Sequence, residues 1–226
     1  MSATHARKKP FLRLATAAVA MVAALGMAAC SGGASTSSSS SGAQVGDRTP
    51  EQIQESGEIV IGIFSDKAPF GYIDADGKPA GYDVVYGDRI AADLGVTAKY
   101  VPVDAAARTE VLASNKVDIT LANFTVTPER AEKVDFANPY FKVSLGVVSP
   151  TSAEITDVSQ LAGKTLIVTK GTTAEAYFEA NHPEVKLQKY DQYSDAYQAL
   201  EDGRGDAFST DNTEVIAWAI QHPGFS

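Results

Sequence analysis

Three short stretches carry side chains that could hold a small charged molecule. In Thr125-Val126-Thr127-Pro128-Glu129-Arg130 two hydroxyls follow a β-like run, and a guanidinium falls in the first turn of the next helix. Hydroxyls and helix-start N–H groups donate to an anion, and a guanidinium can grip both oxygens of a carboxylate. Gly171-Thr172-Thr173 likewise ends a strand and opens a helix, making a second corner suited to an anion. Asp211 follows the strand-like run Asp-Ala-Phe-Ser-Thr and could face the first cationic corner. A carboxylate on Arg130 and an ammonium on Asp211 describe a zwitterion. Each stretch also has a plainer explanation. Arg130 could pair with Glu129 or Glu132 on a solvated surface, Thr172 and Thr173 could serve as a helix cap, and Asp211-x-x-Glu214 fits a capping box.

Other chemistries find little support. There is no G-x-S-x-G, no H-E-x-x-H and no phosphate-binding P-loop. The three histidines, His5, His182 and His222, are scattered, and the one cysteine excludes both a multi-cysteine zinc site and an internal disulfide framework. No metal and no cofactor are therefore expected. The net charge is −9, and the first 29 residues hold four cationic side chains and no acid, which leaves the remainder at −13. A body that acidic has no electrostatic footprint for nucleic acid. With 226 residues, 44% of them hydrophobic and 21% charged, the chain is long enough for a real core in one or two domains.

The elements that must position these residues alternate. Strands are predicted over 58–64, 98–103, 117–122, 134–136, 143–148, 164–169, 185–190 and 206–209. Helices are predicted over 83–94, 106–114, from Thr127-Pro128 onward, and over 173–180, 194–201 and 212–221. Asp76-Gly77 is a turn signal inside a loop rich in glycine and proline, and Gly95 closes the first long helix. Strands alternating with helices imply α/β layers, and two such series divide near residues 140–150.

The N-terminus has a different character. A basic stretch to Arg13 is followed by the apolar run LATAAVAMVAALGMAA, residues 14–29. Sixteen helical residues reach about 24 Å, short of a hydrocarbon core, so the run reads as a secretory signal peptide over residues 1–29. Met27-Ala28-Ala29-Cys30 resembles a bacterial lipobox, which would make Cys30 the lipidated first residue; ordinary cleavage leaving a free thiol is the alternative. Residues 30–47, mostly serine and glycine, would then form a tether with a reach of roughly 20–25 Å.

Three longer segments carry a family resemblance. IGIFSDKAPFGYIDADGKPAGYDVVYGDRIAADLG, NKVDITLANFTVTPERAEKVDFANPYFKVSLGVV and GKTLIVTKGTTAEAYF are similar to the family 3 solute-binding proteins, the extracytoplasmic amino-acid receptors of ABC importers. The similarity runs over about residues 50–226 and is densest from Asp118 to Tyr140. IGIFSDKAPFGY, ANFTVTPERAEKVDF, KYDQ and RGDAFSTDNTEVIAWAIQHP resemble the cysteine-binding branch most.

The resemblance implies a periplasmic-binding-protein-like type II fold, with two α/β lobes around a hinge, lobe 1 over 48–146 and lobe 2 over 147–226. It also implies a further segment beyond Ser226 that re-crosses the hinge, so that lobe 2 is incomplete as the chain stands. Carried over by position, it makes Arg130 the grip on a ligand carboxylate, with Asn123 and Thr125 beside it. Thr173, next to Thr172, donates from the other lobe, and Asp211 accepts from the α-ammonium. Lys67, Phe70 and Tyr140 lie at positions that usually line the pocket. Two positions depart from the common pattern. Ala105 stands where an aromatic is usual, and Arg108 matches an arginine of the acidic-amino-acid receptors, unless it is only a surface residue. The implied partners are a free amino acid, cysteine or an acidic one, ABC permease subunits, and the membrane through the lipid anchor; the receptor itself would be a monomer. Closure would be stabilised only by a ligand touching both lobes. A dehydratase-like enzyme on the same fold would need a placed general acid or base, for which no pair is evident, and a tethered sensor without transport is a further alternative.

Overall fold

The computed structural model describes residues 44–226. The signal peptide, Cys30 and most of the tether lie outside the described residues. Helix α1 (Pro50–Ser56) opens the ordered chain. Thr49 caps it through a capping box, its hydroxyl accepting from the Gln52 amide while the Gln52 side chain accepts from the Thr49 amide. This helix is absent from the expectations above, because seven residues carry too little periodicity to be read. Strand β1 (Glu58–Ile63) follows; its run of Ile and Val is buried from Ile59 onward, as a central strand covered on both faces should be.

A small antiparallel sheet is made of β2 (Asp66–Lys67), β3 (Gly71–Ile73) and β4 (Pro79–Ala80). Its turn is shaped by Asp74, whose Oδ1 accepts from the amides of Asp76 and Lys78, and by Gly77 at φ +77°. Helix α2 (Tyr82–Leu94) ends on Gly95 in the left-handed conformation, and β5 (Thr97–Pro102) returns beside β1. A 3₁₀ turn over Ala105–Ala107 runs into α3 (Arg108–Ala113). Strand β6 keeps only Ile119–Thr120 of the predicted 117–122, and completes a parallel sheet in the order β5-β1-β6.

Helix α4 (Pro128–Ala131) begins as predicted, with Thr127 accepting from the Arg130 amide and Pro128 in the first turn. The strand predicted over 134–136 does not form. Those residues belong to a connector without a pairing partner, and Phe136 packs on Phe124 instead, with ring centroids 5.4 Å apart. The second sheet is built from β7 (Leu145–Val148), β8 (Thr165–Thr169), β9 (Lys186–Tyr190) and β10 (Ala207–Asp211), in the order β7-β10-β8-β9. Only β7 runs antiparallel. Helices α5 (Thr173–Asn181), α6 (Tyr193–Glu201) and α7 (Asn212–Gln221) connect and cover it. The main buried cluster is continuous across the two sheets, from Val60, Phe64 and Val103 to Ile167, Tyr193 and Phe208.

Asp118 fastens the start of the ordered chain to β1. Its carboxylate accepts from the amides of Gly46 (2.9 Å) and Val60 (2.7 Å) and from two nitrogens of Arg48. Those donors hold its pKa below the ordinary carboxylate value against the opposing effect of burial. Asp118→Ala leaves them without an acceptor. The substitution is expected to cost about 2 kcal/mol of stability in denaturant unfolding and to expose residues 44–49 to protease.

Candidate functional site

A narrow cleft with a free volume of about 10 Å³ lies between the first and second sheets. From the first side it is lined by Lys67, Arg108, Asn123, Thr125 and Arg130, and from the second by Thr172, Thr173, Ala174, Tyr193, Thr210 and Asp211. Its free volume is about that of one water-sized sphere, because side chains of both walls reach across it.

The first wall is cationic. Arg108 is 3% exposed, so it is not a surface residue. Its Nε donates to the Ala105 carbonyl (2.8 Å), Nη1 to those of Ala122 and Asn123 (both 3.1 Å), and Nη2 to that of Gly171 (2.9 Å). Four of its five N–H groups are thus committed to backbone. Arg130 donates from Nη1 to the Thr125 carbonyl (2.7 Å) and from Nη2 to the same Gly171 carbonyl (2.9 Å), which leaves three N–H groups for another acceptor. Both guanidiniums lie over Phe124, 4.5 and 4.7 Å from its centroid. Burial lowers both pKa values, that of Arg108 to about 10 with Arg130 adding to the effect, and both stay charged at neutral pH. Among the described residues neither is ion-paired with a carboxylate.

Gly171 explains how one carbonyl can serve both. It sits at φ +72°, and a Cβ there would fall 2.4 Å from the Ala106 Cα. The two sides meet backbone to backbone at this point, and only glycine permits it. The adjoining corner is a helix start: Thr172 caps α5 by accepting from the Glu175 amide. The Thr173 and Ala174 amides have no acceptor among the described residues and border the cleft.

The second wall is acidic and already occupied by a lysine. Asp211 is the N-cap of α7, but its side chain makes no capping bond. Its Oδ2 accepts instead from Lys67 (3.3 Å) and Asn123 (2.7 Å), both from the other wall. Asn123 reaches it from a left-handed backbone (φ +41°), a conformation asparagine tolerates. Glu214, which a capping box would expose, is fully buried. Its carboxylate accepts from Thr210 (2.9 Å) and Tyr197 (3.2 Å) and pairs with Lys67 at 3.0 Å. The capping-box reading of Asp211-x-x-Glu214 is therefore corrected: the pair are the carboxylates of one buried ammonium. Lys67, 2% exposed, also donates to the Tyr193 hydroxyl at 2.9 Å. Burial disfavours that ammonium, but Glu214, Tyr193 and Asp211 outweigh it and raise its pKa. Burial pushes the Glu214 carboxyl up, against the pull of Lys67.

Eight of the ten residues singled out for ligand binding line the cleft: Arg130, Asp211, Thr125, Asn123, Thr173, Thr172, Arg108 and Lys67. Phe70 and Tyr140 do not. Phe70 packs edge-on against Tyr82 and Phe141, and Tyr140 lies 4.4 Å from Tyr86 with its hydroxyl 3.4 Å from Asp83. Tyr193, Glu214 and Phe124 went unread; Tyr193 directly follows the KYDQ segment, the one signal that could have found it. Lys67, Asn123, Arg108 and Arg130 also bridge the two sides directly.

The profile of the bacterial extracellular solute-binding proteins, family 3, matches residues 59–221. The chain belongs to this family. A glutamine-binding protein of Geobacillus stearothermophilus is 29% identical over 219 residues, 92% of this chain and 84% of the relative. A crystal structure of the solute receptors for L-cysteine of Neisseria gonorrhoeae is 53% identical with a TM-score of 0.77, covering 79% of this chain and 74% of that one. The cysteine-binding protein of Campylobacter jejuni is 51% identical with a TM-score of 0.76, covering 78% and 73%. The fold is the type II fold of periplasmic binding proteins, as the resemblance implied.

Asp83 introduces a pH dependence into this family 3 protein. It is fully buried, its Oδ2 has no hydrogen-bond partner, and burial, opposed by Tyr140 and Lys67, pushes its pKa up to about 7. An acid that ionises later in the fold than in the unfolded chain weakens the fold as pH rises between the two values, here from about 4 to about 7. The full interval is worth roughly 4 kcal/mol. Calorimetric unfolding from pH 4.5 to 8 should show wild type losing stability relative to Asp83→Asn; parallel profiles would contradict the assignment.

Proposed function

We propose that the chain is a membrane-tethered substrate-binding protein of an ABC importer that captures a polar amino acid, cysteine foremost, between two lobes spanning residues 48–146 and 147–226. One observation carries the reading: on one wall of a small cleft, the buried Arg108 and half-buried Arg130 guanidiniums, neither ion-paired among the described residues, and Asp211 on the other. The ligand carboxylate takes the three uncommitted N–H groups of Arg130, with the Thr173 and Ala174 amides opposite. The α-ammonium takes Asp211, whose Oδ2 accepts from Lys67 and Asn123 and whose Oδ1 accepts from no group among the described residues. Arg108 contributes mainly its charge. Cysteine is favoured by the similarity to the L-cysteine receptor of Neisseria gonorrhoeae and the cysteine-binding protein of Campylobacter jejuni. The surplus of guanidinium charge favours aspartate or glutamate as the second candidate, and a thiol with thiolate character answers the same surplus.

No bond is made or broken in this scheme. Closure buries the ligand and presents a closed complex to the permease, while lipidated Cys30 and the serine-glycine tether keep the monomeric receptor near the membrane. Titration calorimetry of all twenty amino acids tests the reading, and saturable binding of cysteine or an acidic amino acid is expected. Arg130→Ala and Asp211→Ala should each weaken that binding by ~2–5 kcal/mol, about 30-fold or more. Near-wild-type affinity in either variant overturns the clamp.

A further inference from the structure

Lys67 occupies an unusual place for a lysine. It starts on the first wall, in the short strand β2, yet its ammonium is buried among groups of the second: the Tyr193 hydroxyl, Asp211 and Glu214, at 2.9, 3.3 and 3.0 Å. The ring of Tyr193 lies beneath it, 4.3 Å from Nζ to centroid. The receptor thus places a cation of its own against both acids of the cleft.

We propose that Lys67 is a specificity-determining residue that excludes cationic amino acids. The inference rests on the amino-acid-receptor reading and deepens it. The charged side chains that line the cleft or bond into it are Lys67, Arg108 and Arg130 against Asp211 and Glu214, a formal surplus of one positive charge. A zwitterion leaves that surplus unchanged and an anionic ligand cancels it. A ligand with a second cationic group doubles it inside a space shielded from water, where unpaired charge is most costly. Such a ligand would also look for a carboxylate and find Glu214 already held by Lys67. Discrimination here comes from a repulsive element built against the wrong ligand, beside the attractive contacts made to the right one.

Removing the ammonium cancels the surplus. Without Lys67 two acids face two guanidiniums, and Glu214 and Asp211 become available to a side-chain ammonium. Lys67→Met keeps much of the aliphatic stem and deletes the charge. The experiment is titration calorimetry of L-cysteine, L-aspartate, L-lysine and L-arginine into the full-length protein and into Lys67→Met. Wild type is expected to bind cysteine or aspartate and to reject lysine and arginine. Lys67→Met should change the ratio of cationic to neutral affinity by at least ~10-fold in favour of the cations. Lysine or arginine binding to wild type as tightly as cysteine overturns the filter while leaving the receptor reading intact, and so does an unchanged ratio in a folded Lys67→Met. If no amino acid binds wild type, the receptor reading fails and the filter with it. Should Lys67→Met not fold, the wild-type panel decides the question: rejection of both cations supports the filter, and acceptance of either overturns it.

Discussion

The site is organised around one carbonyl oxygen. Gly171 offers it to Arg108 and Arg130 together, so two like charges are held over Phe124 with neither ion-paired to a carboxylate among the described residues. Burying the Arg108 guanidinium without a counter-ion is costly, and a second, half-buried guanidinium beside it adds to that cost. Four backbone carbonyls and an aromatic face offset part of that cost for Arg108, but the positive field remains. The arrangement is therefore preorganised for an anion. It exists because Gly171 and Ala106 let two backbones meet where a side chain on Gly171 would hold them apart.

The opposite wall follows from the same constraint. Asp211 and Glu214 supply negative charge that offsets part of the cleft's positive charge, and Lys67 and Asn123 cross to meet them. Side chains of the protein thus join the two walls. In the proposed receptor, a ligand shifts closure only by the difference it makes to these contacts. Tyr193, Tyr197 and Thr210 matter here because a buried carboxylate or ammonium with an unfilled bond would be unstable. They complete the coordination of Lys67 and Glu214.

Much of the fold was legible because glycine, proline and apolar runs mark its elements. Helix α7 matches its predicted span of 212–221, and β1 and α2 differ from theirs by one residue at an end. The failures have physical causes. Val134–Phe136 has the composition of a strand, but a strand needs a neighbour, and none lies beside it. Helix α1 shows only as a cap, Thr49-Pro50, before seven residues. At the site, Arg130 and Asp211 could be read from their places at element ends. Glu214 could not, because Asp-x-x-Glu reads as a surface cap, and only the folded chain brings Thr210, Tyr197 and Lys67 around it. The burial of Lys67 was equally hidden, since lysine is among the residues least often buried and nothing adjacent in sequence reveals its partners.

The central claim is that both charges of one small molecule are needed at once, the carboxylate by the guanidinium wall and the ammonium by Asp211. The most direct measurement is calorimetric titration of the wild-type protein with L-cysteine, with cysteamine, which lacks the carboxylate, and with 3-mercaptopropionate, which lacks the amine. The account predicts that each truncated compound binds at least ~30-fold more weakly than L-cysteine. Affinity within a few-fold of L-cysteine for either one would contradict it.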